Sequence, residues 1–428
     1  MYLRMPGRSD TVWWAESRHP APESPSFRVS NSLDCDNYLW DMKIALLTTD
    51  NREEERNYQA PLPYFARAPE ALLQGLARLV DVEVHVVACT QRPVVSPEKL
   101  ADNIWFHALH IPKIGWLRTG YQGCIRAVRR KLKEIRPDLV HGQGTERDAA
   151  ICAVLSGFPN VITIHGNMAE LARLFRARPG SFHWLTGHLE NFILRRAGGV
   201  LCNSEYTEQL VKPRTRRVWR VPNAIREQFF TPQLAPRNSS RCVLLNVGVI
   251  GPRKRQLELL QAARSWQEQG LDFELQFIGY AVPKSDYTAA FLDQIKPLER
   301  TGRARYLGLK STAELIECFD QASGMVHFPV EESFGLVVAE ALARDLKFFG
   351  AKVGGIPEIA EGAPGAELFA VNDWPGLSQA VGRWIKEGFA SPAGGKTLMA
   401  SRYLPELIAR RHQEIYQAVL QPPRNRSR

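Results

Sequence analysis

Short apolar segments of strand length alternate with segments of helical periodicity along most of this 428-residue chain. The first series of strands is predicted at Lys43-Ile-Ala-Leu-Leu-Thr48 and near residues 82–88, 138–140, 160–164, 199–202 and 218–221. The second is predicted at 243–247, 273–278, 305–307, 325–330 and 347–350, with helices near 256–269, 287–300, 312–321 and 374–387. Such alternation predicts an α/β protein with two consecutive doubly wound, Rossmann-like domains facing a cleft.

A stretch rich in turn-forming residues separates the two series. It runs from Pro222-Asn-Ala-Ile-Arg226 to Pro236-Arg-Asn-Ser-Ser240. We therefore predict an N-terminal domain over 42–222, a linker over 223–240 and a C-terminal domain over 241–402.

The two ends of the chain differ from the rest. Residues 1–41 contain several prolines and show no periodicity, which predicts a disordered extension or sequence upstream of the true start codon. Asp34-Cys35-Asp36 in this region matches a D-x-D metal motif, but no strand is predicted beneath it. Residues 421–428 are predicted to form a disordered tail.

Composition excludes several classes of protein. Hydrophobic residues make up 44% of the chain and charged residues 23%, as in ordinary globular enzymes. No apolar run has the length of a membrane span and no signal-peptide pattern opens the chain, so we expect a cytoplasmic protein. Seven cysteines without a C-x-x-C pair argue against a disulfide framework or a zinc ribbon.

The formal charge of +10 indicates an anionic partner. Nucleotide-sugar phosphates, anionic lipid headgroups and nucleic acid all carry the required charge. Nucleic acid has the least support, because the sequence shows no zinc-finger or RNP signature and no interleaving of aromatic with basic residues. We expect no nucleic-acid partner.

Glu332 and Glu340 flank the N-terminus of a helix predicted to begin at about Phe334. A helix N-terminus attracts anions through its free N–H groups and its dipole. A sugar nucleotide has hydroxyls at both ends and a diphosphate between them, so two acceptors beside an anion site would suit it. The same spacing also fits a solvated loop carboxylate followed by one on a helix face.

Val247-Gly-Val-Ile-Gly-Pro-Arg-Lys-Arg255 connects a predicted strand to a predicted helix. Its glycines permit a tight turn near a ligand, and Arg253 with Lys254 would supply cations for a leaving diphosphate. An ordinary turn with exposed basic residues explains the pattern equally well. The loop does not fit the Walker pattern of an NTPase.

Two further motifs accompany these residues. Ser333-Phe-Gly-Leu336, between the two glutamates, and Val353-Gly-Gly-Ile-Pro-Glu-Ile359 downstream resemble the donor-site signature of retaining glycosyltransferases of the GT-B fold, family 4. The resemblance runs from about Met42 to Leu420. It implies a retaining, metal-independent transfer of a sugar from a nucleotide diphosphate sugar to a glycan, a lipid-linked sugar or a small molecule. It also implies that a helix over 403–420 crosses back to pack on the first domain.

The resemblance implies roles for individual residues. Arg253 and Lys254 would contact the diphosphate, so that no metal and no other cofactor is needed. Glu332 would accept hydrogen bonds from the donor sugar and Glu340 from the ribose, whereas the adjacent Glu331 breaks the family spacing. The remaining donor-binding positions would be Gly248 and the backbone of Phe334, Gly335 and Leu336.

Histidines end two predicted strands of the first domain. His165-Gly166 follows a strand at the edge where α/β sheets bind ligands. A lone histidine is more often structural, but the resemblance implies a donor-sugar or phosphate contact. The glycines of His141-Gly-Gln-Gly144 are interpreted as a turn, and Ser204 is interpreted as a helix N-cap.

The chain departs from the family pattern at two places. Residues 48–58 lack the paired glycines that are common in a loop bordering the acceptor, which leaves the acceptor class open. Residues 343–349 replace the usual turn of small residues and proline, a change expected to alter packing more than chemistry.

Residues 121–136 form a basic amphipathic segment. Such a helix is usually solvated on one face, but with Trp116 and Arg118 nearby it would also suit peripheral contact with an anionic membrane and a lipid-linked acceptor. Its apolar residues at helical spacing are Ile125, Val128, Leu132 and Ile135, and its basic residues are Arg126, Arg129, Arg130, Lys131 and Lys133.

Three other functions fit the same pattern. A GT-B nucleotide-sugar epimerase or a sugar-phosphate synthase would use a similar donor site. A non-catalytic scaffold that binds sugar or lipid would keep the fold, although it would have little need for a complete diphosphate site.

Overall fold

A computed structural model describes residues 41–233 and 241–421. The predictions made for residues 1–40, including Asp34-Cys35-Asp36, for the end of the linker at 234–240 and for 422–428 lie outside the described residues.

The described chain divides into two compact units. The first comprises residues 41–201, 214–219 and 409–421. The second comprises Cys202–Pro213 and Arg220–Ile408 apart from residues 234–240. Each unit contains a largely parallel sheet with helices, which confirms the predicted pair of Rossmann-like α/β domains. The predicted boundaries at 42–222, 223–240 and 241–402 stay predictions.

The first sheet has the strand order β3-β4-β2-β1-β5-β6-β7-β8. Its neighbours from β4 to β6 are parallel, and β3 is antiparallel to β4. Strands β2 to β4 lie on one side of β1, and β5 to β8 lie on the other side, so the topological switch point is between β1 and β5. The strands are β1 Met42–Leu47, β2 Val82–Thr90, β3 Lys99–Ala101, β4 Ile104–His110, β5 Leu139–Gln143, β6 Asn160–Ile164, β7 Val200–Cys202 and β8 Val218–Arg220.

Seven helices accompany these strands in the described chain before residue 212. The most amphipathic of them is α3, whose apolar residues Ile125, Val128 and Leu132 are buried as their spacing predicts. The helices are α1 Asn51–Glu54, α2 Arg67–Leu76, α3 Gln122–Ile135, α4 Asp148–Val154, α5 Met168–Leu174, α6 Phe182–Leu194 and α7 Glu205–Val211.

The second sheet is parallel throughout, with the order β11-β10-β9-β12-β13-β14. Its topological switch point lies between β9 and β12. Successive residues of β9 enter different apolar clusters, Leu244 one and Leu245 the other, so the sheet is buried on both faces. The strands are β9 Cys242–Val247, β10 Phe273–Ile278, β11 Ala304–Gly308, β12 Gly324–His327, β13 Lys347–Ala351 and β14 Ala366–Phe369.

Nine helices complete the described chain. The long C-terminal helix α16 belongs to the second unit at its start and to the first unit from Ala409 onward. The helices are α8 Gln256–Glu268, α9 Asp286–Gln294, α10 Lys296–Arg300, α11 Thr312–Gln321, α12 Leu336–Ala343, α13 Ile356–Ala360, α14 Trp374–Lys386, α15 Gly395–Tyr403 and α16 Pro405–Leu420.

Several predicted segments differ from the observed elements. The helix predicted over 287–300 is two helices, and the second carries a proline in its first turn. The strand predicted over 325–330 ends at His327, and the helix expected to begin at Phe334 begins at Leu336. Strands β3, β4 and β14 were not predicted.

Among the described residues, no helix combines the length and the apolar character that crossing a membrane would require.

Arg344, in the segment 343–349 that departs from the family pattern, makes buried structural contacts. The Arg344 side chain is 1% exposed and donates two hydrogen bonds to the Asp320 carboxylate, at 2.7 and 2.6 Å. It also donates to the carbonyl of Thr231 at 2.6 Å. A buried guanidinium thus joins α11 to the segment that precedes β9.

Replacing Arg344 by methionine is expected to lower the free energy of unfolding by about 3 kcal/mol, because Asp320 and the carbonyl oxygens lose a charged donor. Arg383 is a matched control, since it is 55% exposed and pairs with Glu367. Arg383→Met is expected to change the stability by less than about 0.5 kcal/mol. Urea unfolding of both variants measures the difference. Equal urea midpoints would show that the Arg344 contacts add nothing.

Candidate functional site

The predicted donor residues lie on two loops at the carboxyl edge of the second sheet. One loop follows β9 and carries Arg253 and Lys254, and the other follows β12 and carries Glu331 and Glu332. The N–H of Val330 donates to the carbonyl oxygen of Arg253 at 3.0 Å, which ties the loops together. They meet at the topological switch point, where open α/β sheets bind ligands.

The two cations pair one to one with the two carboxylates. Arg253 Nη1 lies 3.0 Å from Glu331 Oε2. Lys254 Nζ forms an ion pair with Glu332 Oε2. Glu331, which broke the family spacing, is only 4% exposed and therefore acts as the partner of Arg253. The sequence contained a signal for this arrangement, because two adjacent cations and two adjacent anions each follow a strand.

His327, the last residue of β12, gives Glu332 a second partner. Its Nε2 lies 3.1 Å from Glu332 Oε2. Burial lowers the pKa of His327 to about 4, and the charge of Lys254 adds to the effect. The ring is therefore neutral at pH 7, with Nε2–H donating to the carboxylate. Its other nitrogen, Nδ1, is buried and has no hydrogen-bond partner among the described residues.

Glu332 stays ionised in this setting. Burial by itself would raise its pKa, but Lys254, His327 and Arg253 outweigh burial and hold the pKa well below its usual range. Burial lowers the pKa of Lys254, and the Glu332 carboxylate opposes that shift. The site therefore holds a carboxylate and an ammonium group that are both largely shielded from water.

Gly354 and Gly355 of the Val353–Ile359 motif fix the backbone of Glu332. The N–H of Gly355 donates to the carbonyl oxygen of Glu332 at 3.1 Å. Gly354 has a φ of +55°, and a Cβ on this residue would overlap the same oxygen. Glycine at 354 is thus required both by its backbone conformation and by the close approach of the Glu332 loop.

The N-terminus of α12 lies immediately after this loop. Gly335 is its N-cap residue, with a φ of +106°, and Leu336 opens the helix while Phe334 is buried before it. Ser204 Oγ donates to the carbonyl oxygen of Ser333 at 2.5 Å and accepts from the N–H of Thr207 at 3.2 Å. The predicted N-cap role of Ser204 is confirmed, and the same hydroxyl also supports the loop before α12.

Glu340 lies within α12 and is 1% exposed. Its Oε1 pairs with Arg226 Nη2 at 3.3 Å, and Arg226 Nη1 donates to Thr312 Oγ1 at 2.6 Å. The buried guanidinium thus gives the buried carboxylate an ion-pair partner inside the unit. Sequence analysis had placed Arg226 in the linker without a role, because a contact over 114 residues leaves no local pattern.

Gly248 directly follows β9, on the same loop as the two cations. Its N–H donates to the carbonyl oxygen of Ile278 at 2.8 Å. The aliphatic part of Lys254 lies over it, with Cε 3.5 Å from the position that a Cβ would take. The residue therefore lies under the Lys254 side chain at the carboxyl edge.

His165 lies in the first unit, directly after β6, as predicted. Its Nε2 donates to Gln143 Oε1 at 2.7 Å. Its Nδ1 is buried and has no hydrogen-bond partner among the described residues. Burial lowers the pKa of His165 to about 4, so the ring is neutral and presents a lone pair rather than a charge.

Two family models match the chain in succession. Residues 67–229 match "Glycosyltransferase Family 4", and residues 229–393 match "Glycosyl transferases group 1". This protein is a GT-B glycosyltransferase of family 4. Together the two matches span residues 67–393, which include the loops that carry Arg253 and Glu332.

The glycosyltransferase resembles one curated relative, the N-acetyl-alpha-D-glucosaminyl L-malate synthase of Bacillus anthracis. The two are 27% identical over 230 residues, which is 51% of this chain. The match spans 58% of the length of that relative.

Solved structures show the same fold. A sucrose-phosphate synthase from Thermosynechococcus elongatus superposes with a TM-score of 0.69 at 17% identity, covering 88% of this chain and 99% of that one. HepE of Anabaena in complex with UDP-glucose superposes with a TM-score of 0.65 at 16% identity, covering 88% of this chain and 100% of that one. At these identities the likeness concerns the fold alone.

The loop after the first strand of the glycosyltransferase, which lacks the glycines common in the family, contains the helix α1. Arg52 of α1 is fully buried and donates to the Asp50 carboxylate at 2.9 and 2.7 Å. Glu53 accepts from the N–H of Gln91 at 2.7 Å. Buried ion pairing thus fixes this segment of the chain.

Sequence analysis missed Glu146, which lies between the ends of β5 and β6. Its Oε1 accepts the N–H of Gly166 at 2.9 Å, directly beside His165. Burial raises the pKa of Glu146 to about 7, and the negative charge of Glu190 adds to the effect. No motif marked this residue, because its environment comes from segments far apart in the chain.

Replacing Gly354 by alanine is expected to destabilise the glycosyltransferase by at least about 2 kcal/mol more than Gly270→Ala. Gly270 is a matched control, because its φ of +76° demands the same backbone conformation but nothing lies near its Cβ position. The comparison separates backbone strain from overlap with Glu332. Urea unfolding measures both variants, and equal destabilisation would contradict the close approach.

Proposed function

We propose that this glycosyltransferase transfers a sugar from a nucleotide diphosphate sugar to a hydroxyl acceptor, with retention of anomeric configuration and without a metal ion at the diphosphate. The observation that carries the proposal is the pairing of Arg253 and Lys254 with Glu331 and Glu332 at the switch point of the second sheet. Two fixed cations beside the N-terminus of α12 supply the electrostatic stabilisation that a metal ion provides in other transferases.

The carboxylates hold the cations ready for the diphosphate. Arg253 is one-third exposed, so a phosphate oxygen can reach its guanidinium while Glu331 still holds it. Lys254 is more enclosed and shares Glu332 with His327. When the sugar–phosphate bond breaks, negative charge grows on the diphosphate, and both cations stabilise it in surroundings with little water.

The donor's hydroxyls would meet two carboxylates as hydrogen-bond acceptors. Glu332 would accept from the sugar with the carboxylate oxygen that Lys254 and His327 leave free. Glu340 would accept from the ribose hydroxyls while it remains paired with Arg226. Phe334, Gly335 and Leu336 would present backbone N–H groups to the sugar and phosphate.

Retention requires no protein nucleophile in this scheme. The departing diphosphate accepts the proton of the acceptor hydroxyl on the face that it leaves, and the new bond forms on that same face. His165 would contribute as a neutral hydrogen-bond acceptor through Nδ1, since its low pKa excludes a positive charge at pH 7. Its proposed partner is a hydroxyl of the donor sugar.

The comparisons support a nucleotide-sugar donor. HepE, which shares the fold, has been crystallised with UDP and with UDP-glucose. The curated relative is by name an N-acetyl-alpha-D-glucosaminyl L-malate synthase, and that name contains a sugar group and a small molecule. We propose a carbohydrate, a lipid-linked sugar or a small molecule as acceptor, a cytoplasmic location and no nucleic-acid partner.

Replacing Lys254 by alanine is expected to lower turnover by at least about 100-fold, because one cation that stabilises the leaving diphosphate is lost. It is also expected to weaken nucleotide binding. Lys347→Ala is a matched control, because Lys347 is equally buried (12% against 11%) and pairs with Glu367. Calorimetry with UDP, GDP and ADP, with and without added Mg²⁺, measures binding.

One nucleotide should bind wild type and Lys347→Ala with equal affinity, without a requirement for Mg²⁺, and bind Lys254→Ala more weakly. Product analysis with and without acceptors then distinguishes a transferase from an epimerase. Binding that depends on Mg²⁺ would contradict the metal-free diphosphate site. Failure of all three nucleotides to bind would favour the non-catalytic scaffold.

We also propose that α3 contacts anionic membranes. Arg126, Arg129, Arg130 and Lys133 are exposed on it. Ile114, in the preceding segment, is 78% exposed and would insert between lipids. Trp116 was expected to contribute to the membrane contact. It does not, because it is 7% exposed and donates to the carbonyl oxygen of Ile111.

Changing the four exposed basic residues of α3 to glutamine is expected to lower binding to anionic vesicles by at least about 100-fold, since each contributes ~1 kcal/mol near the surface. A control variant removes the same charge elsewhere, by changing the exposed Lys296, Arg300, Arg383 and Lys386 to glutamine. Vesicle flotation at low salt measures both. Wild-type protein that does not float would exclude the contact.

A further inference from the structure

A second group of chemically reactive side chains is buried in the first unit, away from the residues assigned to the donor. The ligand atoms of Cys89, Cys124 and Asp148 all lie within 4.8 Å of one another. The three residues are 4%, 0% and 8% exposed. Two thiols and a carboxylate are thus gathered in one enclosed place.

The three residues come from three different elements. Cys89 lies near the end of β2, Cys124 in the first turn of α3 and Asp148 at the start of α4. Because they are 24 to 59 positions apart in the sequence, they form no C-x-x-C or other local metal motif. The folded structure alone brings them together.

The Asp148 carboxylate is 8% exposed and lies beside two thiols, which are weak hydrogen-bond donors. A carboxylate loses its hydration when it is buried, and a cation bound among the three groups would compensate for that loss.

We propose that Cys89, Cys124 and Asp148 bind a Zn²⁺ ion that has a structural role. Thiolate and carboxylate ligands of this kind suit Zn²⁺ in a tetrahedral arrangement. Zinc bonds of about 2.3 Å to sulfur and about 2.0 Å to oxygen place neighbouring ligand atoms roughly 3.5–3.8 Å apart. The cluster therefore needs only small side-chain adjustments to close around the ion.

Two neighbours lie close to the cluster. Cys152 is fully buried one helical turn after Asp148 on the same face of α4. Its thiol is not among the three ligand atoms that lie within 4.8 Å of one another, so a change of its side-chain conformation would be needed for it to supply the fourth bond. Arg147 adjoins Asp148, and its guanidinium lies 5.6 Å from the Trp116 ring centre. This cation offsets the negative charge that the thiolates leave around the zinc. Each thiol that binds releases one proton.

The ion would fasten β2, α3 and α4 to one another at the carboxyl edge of the first sheet. Glu146 and the loop after β5 lie directly before α4, so the zinc would hold in place the segment next to His165. Its role is separate from the transfer chemistry, whose proposed cations lie in the second unit. The proposed zinc site therefore stands whether or not the diphosphate site is metal-free.

The test measures zinc by plasma mass spectrometry in protein that is purified in reductant without a metal-affinity step, loaded with Zn²⁺ and freed of excess ion. Wild type is expected to retain about one zinc per chain. Cys89→Ser and Cys124→Ser are expected to bind at least about 100-fold more weakly, beyond the loss typical of an outer-shell change. Cys242→Ser is the matched control, because Cys242 is equally buried but lies in the second unit.

Cobalt titration of wild type provides a second measurement that does not depend on whether the variants fold. Tetrahedral Co²⁺ with thiolate ligands is expected to show strong visible bands together with sulfur-to-metal charge transfer. Absence of these bands would overturn the proposal, as would zinc retention equal in wild type and Cys89→Ser. A Cys89–Cys124 disulfide found in metal-free protein under the same reducing conditions would also overturn it.

Discussion

Four charges held largely out of water at one edge of the second sheet organise this protein. Arg253, Lys254, Glu331 and Glu332 would each be costly to bury alone, and they are tolerated because every cation has its own carboxylate. The pairing fixes the loops after β9 and β12 against each other. What results is a positively charged pair of residues, already oriented, beside a helix N-terminus.

The surrounding structure serves this pairing. Gly354 and Gly355 hold the backbone of Glu332, Ser204 holds the carbonyl of Ser333, and His327 remains neutral in order to donate to Glu332. None of these supports needs to touch a substrate. They explain why the motif around residues 353–359 accompanies the glutamates, since its glycines permit an approach that a Cβ would block.

Sequence analysis predicted the fold well where the pattern was local. Most buried parallel strands and the amphipathic helices α3, α11 and α14 were found, because burial on both faces or on one face leaves a periodic trace. Short edge strands such as β3 and β14 were missed, since they carry little apolar pattern. The break between α9 and α10 was missed although Pro297 marked it.

The sequence by itself determined the fold class, the two charged loops after β9 and β12 and the identity of their charged residues, because strand, loop and helix signals are contiguous in the chain. Only the tertiary structure decided which charged residues form ion pairs with each other. Glu331 pairs with Arg253 and Arg226 with Glu340, and Cys89 lies beside Cys124 and Asp148. Such contacts join residues far apart in sequence, and packing rather than local pattern sets their distances.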